Sequence, residues 1–417
     1  MKKGIALLLA LTLLLTGCGS ARRKVTDVKV KGTDLMTGVK AADVALLENL
    51  PEHSEPLTKF GVELFQNSMK PGKNTLISPL SVLYALGMTA NGAQGNTLSQ
   101  METVMGLPRE QLNNWLHTYA QQGGQQKLFV ANSIWFQDDP NLSLKEEFLQ
   151  TNADYYGAEL YQIPFDDAAC DQINKWVEGK TAGMIKNILY KIPEEAVMYL
   201  INALAFESRW DEPYEGYQVR ERTFTTEDGQ KRTVDMMYSG ENNRYLEDDL
   251  ATGFYKWYEG YRYYFVALLP KEGVSVEEYV QSLTGEHLQQ MLAEHQQVDV
   301  EAGLPAFEAV FDVDMAKVLS DMGMPDAFSP DDADFSAMGS YGQGDFYITR
   351  VLHKTFISVE ESGTKAAAAT VVEVAPAAAA PTEREIKRVI LDRPFVYLIV
   401  DNSAQIPVFM GTVMDIQ

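Results

Sequence analysis

A long and almost uncharged run, residues 197–210 (VMYLINALAFESRW), constrains the fold more than any other feature of the chain. A continuous apolar run of this kind predicts a long strand that is buried within a sheet. Further strand-like runs follow at 261–270 and 393–413, whereas the first third of the chain has mainly helical spacing. Because the chain shows no internal repeat and no linker after residue 41, this order of helices before strands predicts one α+β domain.

The composition disfavours several classes of function. The 417 residues carry a formal net charge of −23, which argues against nucleic acid or an anionic lipid surface as a partner. The sequence has no GxSxG elbow, no HExxH motif, no Walker loop, and no cysteine or histidine pairs at metal-ligand spacing. His353 lies in a strand-like run, where a lone histidine is usually a hydrogen-bonded core residue. We therefore predict that the chain is not an enzyme and needs no metal or cofactor.

The N-terminus has the layout of an export signal. Two lysines precede an apolar run, residues 5–15, that is too short for a lasting membrane span. The run ends in LTGC, which resembles a bacterial lipoprotein signal, so we expect removal of residues 1–17 and lipidation of Cys18. Residues 18–43 would form a flexible tether. The protein would be secreted and held on the outer face of the bacterial cell membrane by this lipid alone, or shed from it. The alternative is a plain secretory signal that happens to contain a cysteine.

Cys170 is the only other cysteine, so the mature chain can form no internal disulfide. Its neighbours in FDDAACDQIN supply no base, and their acidic groups are expected to raise the pKa of the thiol. We therefore expect a passive cysteine rather than a nucleophile.

A bland, alanine-rich segment, residues 364–375 (TKAAAATVVEVA), lies shortly before the last apolar run. Alanine favours a surface helix, and small residues also suit a flexible linker. As a third alternative, the segment has the alternation of a strand that lacks a sheet, because successive side chains of a strand point to opposite faces. Both charges then fall on the odd-numbered face, and the even-numbered face, from Thr364 to Val374, can be buried.

Eight stretches in the same order give the chain a resemblance to the serpins from about residue 44 to residue 417. They are NTLISPLSVLYALGMTANGAQGNT, INKWVEGKTAGMIKNIL, INALAFESRW, FVALLP, LPAFEAVF, LSDMGMPDAFSPDDADFSAM, HKTFISVEESGTKAAAAT and RPFVYLIVDNSAQIPVFMGTV. The resemblance implies a single serpin domain at 44–417, with helices packed around a large mixed central sheet and two smaller sheets. It also implies an exposed reactive-centre loop at about 361–388, and a monomer.

The resemblance implies a mechanism as well. A target serine protease attacks the loop and forms a covalent acyl-enzyme, and the loop then inserts as a new central strand of the large sheet before hydrolysis is complete. The attached protease is carried across the molecule, and its active site is distorted. The small-residue hinge that inhibitory serpins have comprises, in this sequence, Glu361, Gly363, Thr364, Ala366, Ala367, Ala368 and Ala369.

Other residues match positions that have structural roles in the family. The resemblance implies a polar cluster beneath the place where the large sheet parts, and a tryptophan at the end where insertion begins. The residues are Ser78, Ser81, Asn202 and His353 for the cluster, and Trp210 for the tryptophan.

The spacing usual in the family, counted from Gly363, puts the reactive bond at Ala377-Ala378. A small residue after Pro376 suits the shallow primary pocket of elastase-like proteases. The loop beyond this bond is longer than usual, so the neighbouring alanines within 375–380 stay open as alternatives. We therefore expect a suicide-substrate inhibitor of elastase-like serine proteases. The alternatives are a non-inhibitory or substrate-type serpin, and an inhibitor of subtilisin-like or papain-like cysteine proteases.

Overall fold

The computed structural model describes residues 24–124, 127–193, 196–242, 244–294, 298–342, 345–364 and 385–416. Several predicted site residues lie outside these ranges: the lipidation site Cys18, the hinge alanines Ala366, Ala367, Ala368 and Ala369, and the reactive bond Ala377-Ala378.

Nine α-helices lie in the described part of the chain, six of them before the long apolar run. They are α1 (Ser54–Ser68), α2 (Pro79–Ala90), α3 (Gly95–Met105), α4 (Arg109–Tyr119), α5 (Glu146–Tyr156), α6 (Asp167–Lys180), α7 (Val276–Ser282), α8 (Gly285–Ala293) and α9 (Ala316–Asp321). α2 is buried along its whole length. It begins at the pair Ser78-Pro79, where the hydroxyl of Ser78 accepts a hydrogen bond from the amide of Ser81 at 3.2 Å and proline suits the first turn.

The strands of the described residues are, in chain order, β1 (Thr33–Asp34), β2 (Thr75–Ile77), β3 (Leu128–Gln137), β4 (Ser143–Leu144), β5 (Glu159–Ile163), β6 (Met198–Phe206), β7 (Ser208–Arg209), β8 (Val219–Thr225), β9 (Lys231–Glu241), β10 (Tyr245–Glu247), β11 (Ala251–Trp257), β12 (Tyr263–Pro270), β13 (Asp299–Pro305), β14 (Phe307–Asp314), β15 (Gly339–Ser340), β16 (Arg350–Glu360), β17 (Gly363–Thr364), β18 (Ile386–Ile390), β19 (Phe395–Asp401) and β20 (Ile406–Val413).

These strands form three main sheets. The large sheet has the order β1-β5-β3-β6-β16-β17-β7, and β14 also pairs with β16. It is mixed, because β3 and β5 are parallel, as are β6 and β16, while its other pairs are antiparallel. The inner sheet has the order β10-β11-β12-β19-β20-β2, and the small sheet has the order β18-β13-β9-β8. The α+β class and the large mixed sheet with two smaller sheets are therefore confirmed.

The long apolar run is the buried centre of the large sheet, as predicted. Every residue of β6 is buried. The apolar even-numbered side chains of β6 belong to the main core, and its odd-numbered side chains pack with residues of α6 in a second core. A strand with a core on each face needs apolar residues at nearly every position, which is why the run shows no alternation.

The described part of the predicted tether, residues 24–43, makes backbone contacts with the domain. β1 pairs antiparallel with β5 at the edge of the large sheet, and the amide of Thr26 donates to the carbonyl of Gly179 in α6 at 3.1 Å. A Cβ on Gly179 would lie 2.5 Å from the carbonyl oxygen of Thr26, so the glycine permits this crossing. The sequence did not indicate the contact, because a strand of two residues has no periodicity. Among the residues described, no helix is long and apolar enough to cross a bilayer.

Candidate functional site

The large sheet divides at one end of its central pair of strands. β6 and β16 are parallel neighbours along residues 199–205 and 350–356. Beyond that stretch β17 lies between β16 and β7, and it pairs antiparallel with both. We call the boundary between β6 and β16 the seam. The seam is thus already parted at this end by a strand of two residues.

The two residues of β17 fit this position for different reasons. Gly363 has a φ of +148°, and a Cβ there would lie 2.3 Å from the carbonyl oxygen of Ser208, so a side chain is excluded. Thr364 is fully buried, and its hydroxyl lies 2.6 Å from the hydroxyl of Tyr258. Tyr258 in turn stacks on Trp210, with the ring centroids 4.4 Å apart. Thr364 therefore points inward, as the alternation of the segment assigns to even-numbered residues.

Trp210 and Tyr214 hold the turn between β16 and β17. The indole N–H of Trp210 donates to the carbonyl of Glu360 at 2.9 Å, and the Trp210 amide donates to the carbonyl of Ser362 at 3.1 Å. The amide of Tyr214 donates to the carbonyl of Glu361 at 2.9 Å. The predicted hinge residue Glu361 is thus positioned through its backbone carbonyl.

A buried ion-pair cluster, which sequence reasoning missed, lies beside Tyr214. The fully buried carboxylate of Glu241 accepts hydrogen bonds from Lys256 Nζ at 2.8 Å and from Arg244 Nη1 at 2.5 Å. The ammonium of Lys256 also lies 4.6 Å from the centroid of the Tyr214 ring. A lysine inside the strand-like run ATGFYKWYEG was the available signal, because a buried charge needs a partner. The partner itself could not be identified, since it lies on another strand.

A cluster of buried polar residues crosses the seam. His353 of β16 and Asn202 of β6 are opposite each other in register, and His353 Nδ1 lies 2.5 Å from Asn202 Oδ1. The amide of Ser78 donates to His353 Nε2 at 3.1 Å, and Asn202 Nδ2 donates to the carbonyl of Ser81. We call these four residues the seam cluster. They connect both strands of the seam to the start of α2.

The hydrogen bonds of the seam cluster require His353 to be neutral. Because the Ser78 amide donates to Nε2, the ring proton is assigned to Nδ1, which donates to Asn202. A second proton on Nε2 would face the N–H of Ser78. Burial lowers the pKa of His353 to about 3. The ring is fully buried and uses both nitrogens in the cluster, so it suits a structural role.

The remaining candidates for chemistry offer little. Among the described residues, no group of three or more histidine, cysteine or acidic side chains is arranged to hold a metal ion. Cys170 is buried, and burial together with Asp167 and Asp171 raises the pKa of its thiol. This is the direction expected from its acidic neighbours.

Comparisons with known proteins converge on one family. The family profile described as "Serpin (serine protease inhibitor)" matches residues 55–416. An uncharacterized serpin-like protein of Thermococcus kodakarensis is 31% identical, covering 86% of this chain and 84% of its own. The leukocyte elastase inhibitor of Equus caballus is 29% identical, covering 85% of this chain and 97% of its own. The native-state crystal structure of the thermophilic serpin tengpin has a TM-score of 0.88 and 44% identity, and covers 93% of this chain and 100% of that one.

These comparisons correct the bare prediction that the chain is not an enzyme. That prediction denied an activity because local catalytic motifs are missing from the sequence. The matching family profile replaces it with a positive description, a serine protease inhibitor. The members of the matched family are thus described by their inhibition of an enzyme.

Proposed function

The chain belongs to the serpin family of protease inhibitors, and we propose that it acts covalently and only once, by inserting its reactive loop into the large sheet. The observation that carries this proposal is β17. It is the beginning of a strand that lies between the two halves of the large sheet and is antiparallel to its neighbours. A loop that continued in the same direction would enter the seam.

The register of β17 says where an inserted loop would lie. Thr364 is opposite Val359 of β16, so each further loop residue would be opposite the β16 residue one position earlier. Ala368 would then lie opposite Thr355, and Thr370 opposite His353 of the seam cluster. The even-numbered small residues would face the main core, as Thr364 does.

The charges of the loop fit the same register. Glu373 would lie opposite Arg350, which at present bonds Asp314 at 2.7 Å. Lys365 would lie opposite Ser358, whose hydroxyl donates to the carboxylate of Glu360 at 2.9 Å. Both charged residues of the loop segment would therefore meet a complementary charge on or beside the neighbouring strand.

The energy available from insertion is large enough for the proposed mechanism. A strand inserted as far as residue 375 would gain two backbone ladders and lose the shorter parallel pairing of the seam. At about 0.5–1.5 kcal/mol per net hydrogen bond, the gain is on the order of 10 kcal/mol or more. A protease domain has a stability of roughly 5–15 kcal/mol, so its distortion falls within this range.

For the target, we propose elastase-like serine proteases, with cleavage at Ala377-Ala378. The support is the small residue after Pro376 in the sequence, and the similarity to a relative that is named leukocyte elastase inhibitor. The other alanines of residues 375–380 are the alternative cleavage sites. Subtilisin-like and papain-like proteases are the alternative targets.

We further propose that Cys18 is lipidated and holds the protein on the outer face of a bacterial membrane. The support is the LTGC sequence after an apolar run. Mass analysis of the membrane-extracted protein should give a lipid adduct on an N-terminal Cys18, and Cys18→Ser should release the protein into the medium. An unmodified N-terminus beyond residue 18 would contradict the anchor.

The decisive experiment mixes residues 19–417 with pancreatic elastase. We expect a band at the summed mass that resists SDS, and a released C-terminal peptide whose mass places the cut at Ala377-Ala378. Cleavage without that band, repeated with trypsin-, subtilisin- and papain-like proteases, would show a substrate-type serpin and refute the covalent mechanism.

A further inference from the structure

A groove between the small sheet and the inner sheet is lined by three arginines, Arg222 of β8, Arg388 of β18 and Arg393 shortly after β18. We call it the arginine groove. It has a volume of about 430 Å³, and the hydroxyl-bearing residues Thr223 and Thr252 also line it. The whole chain has a net charge of −23. A recess lined by three guanidinium groups is therefore a local region of positive charge.

Neutral groups hold Arg222 in place. Its Nε donates to the hydroxyl of Tyr238 at 3.2 Å, and its Nη1 donates to the backbone carbonyl of Glu221 at 2.9 Å. The guanidinium carbon lies 5.8 Å from the centroid of the Tyr238 ring. Neither bond neutralises the cation, and Arg222 makes no ion pair within the part of the chain that the structure describes. The guanidinium of this exposed side chain is therefore oriented by neutral acceptors.

The other two arginines have only loose acidic partners. Arg393 donates from Nη2 to the carbonyl of Pro270 at 2.8 Å, whereas its Nη1 is 3.5 Å from Asp392. Arg388 Nε lies 3.7 Å from the carboxylate of Glu301, and the Arg388 side chain is 66% exposed. Exposed pairs at such distances contribute little to stability, so these guanidinium groups are free to take a stronger acceptor.

The arginines are spread along the groove. β8 and β18 are the two edges of the four-stranded small sheet, so Arg222 and Arg388 are about 14 Å apart across the sheet at the usual strand spacing. They are also offset along it, because Arg222 is level with Val234 of β9 and Arg388 is level with Gly240. Arg393 lies near the end of β8, because the amide of Thr225 there donates to the carbonyl of the preceding residue, Asp392, at 2.8 Å. One small anion would not reach both ends, whereas a ligand with several anionic groups would.

We propose that the arginine groove binds a small polyanion through phosphate or sulfate groups, one held near Arg222 and Arg393 and another near Arg388. Guanidinium groups match tetrahedral oxyanions through paired N–H donors. Two of the three are already fixed by neutral acceptors, which lowers the ordering cost of binding. Asp392, the acidic residue of the lining, already faces Arg393. The proposal does not depend on the inhibitory function.

The test uses tripolyphosphate as the probe, titrated into residues 19–417 at constant ionic strength and followed by calorimetry and by ³¹P line broadening. We expect saturable one-to-one binding that is at least tenfold tighter than the binding of orthophosphate. Arg222→Gln and Arg388→Gln should each weaken tripolyphosphate roughly tenfold, because each removes charge-assisted hydrogen bonds. Low-mass dextran sulfate in competition decides whether sulfate groups are accepted as well as phosphate groups.

Arg109→Gln is the matched control, since Arg109 pairs with Glu110 at 2.9 Å on α4, outside the groove. It should bind tripolyphosphate as the wild type does. Unfolding curves of all three variants should coincide with that of the wild type. A loss of binding could then not be explained by a loss of folded protein. Absence of saturable binding by the wild type, or an equal loss in Arg109→Gln, would overturn the proposal.

Discussion

Substitution of Ala368 by arginine tests the proposed insertion at one defined point. In the register set by β17, residue 368 would lie opposite Thr355, which is fully buried and donates its hydroxyl to the carbonyl of Leu76 at 2.6 Å. An arginine there would bring an unpaired charge into the main core, at a cost of several kcal/mol. If about 3 kcal/mol of this cost is present when insertion passes Thr355, insertion slows roughly 100-fold. Hydrolysis of the acyl-enzyme would then be faster than insertion, and the protease would be released.

The assay is the number of inhibitor molecules consumed per SDS-resistant complex with elastase. We expect Ala368→Arg to be cleaved at the wild-type rate but to yield mostly cleaved inhibitor. Thr382→Arg is the control, because it introduces the same side chain beyond all the proposed cleavage sites, in a part that would not insert. Thr364 is a poorer choice, since it is already buried against Tyr258 before any cleavage. An unchanged yield of complex from Ala368→Arg would refute the register or the insertion itself.

Three further predictions concern the uncleaved protein. Gly363→Ala should lower the free energy of unfolding by roughly 1–3 kcal/mol in denaturant titrations, because φ is +148° and the added Cβ would meet the Ser208 carbonyl at 2.3 Å. No loss would mean that β17 lies elsewhere. Glu241→Gln should cost about 3–5 kcal/mol, because it leaves the buried Lys256 without its counter-charge, and a second change, Lys256→Met, should restore much of the loss. His353 is neutral when folded, with a pKa of about 3, and it takes up a proton when unfolded below its usual value of 6.5. Stability should therefore fall as the pH drops from about 6.5 toward 3, by up to roughly 1.4 kcal/mol per pH unit from this group, and His353→Asn should flatten that part of the profile.

Patterns that are complete within one stretch of sequence gave correct predictions. The run 197–210 is apolar on both faces of β6, which is the pattern of a strand buried on both sides. Its burial could therefore be predicted without knowing its neighbours. The start of α2 is also encoded locally, because the Ser78 cap and Pro79 lie next to each other in sequence.

Features that join distant segments could not be predicted in this way. Glu241 and Lys256 lie on strands of different sheets, so the sequence marks Lys256 as a charge within a strand-like run but does not show which residue pairs with it. β1 is two residues long, and it exists because the edge of β5 offers free backbone groups. The members of the seam cluster were named through the family resemblance, since nothing in the spacing of Asn202 and His353 shows that they are opposite each other.

The chemistry of the seam suits the proposed insertion, which would need a boundary that holds first and parts later. The seam cluster consists of neutral groups, and a neutral hydrogen bond contributes only about 0.5–1.5 kcal/mol net. An inserted strand with Thr370 opposite His353 would offer a hydroxyl and backbone groups that could replace the hydrogen bonds of the seam cluster. The buried charges of Glu241 and Lys256 lie beside the turn before β17 and not across the seam. If they lay across the seam, separating them would cost several kcal/mol more than separating neutral groups. The ionic contacts thus lie beside the point where the proposed insertion would start, while neutral contacts lie along the path that the loop would take.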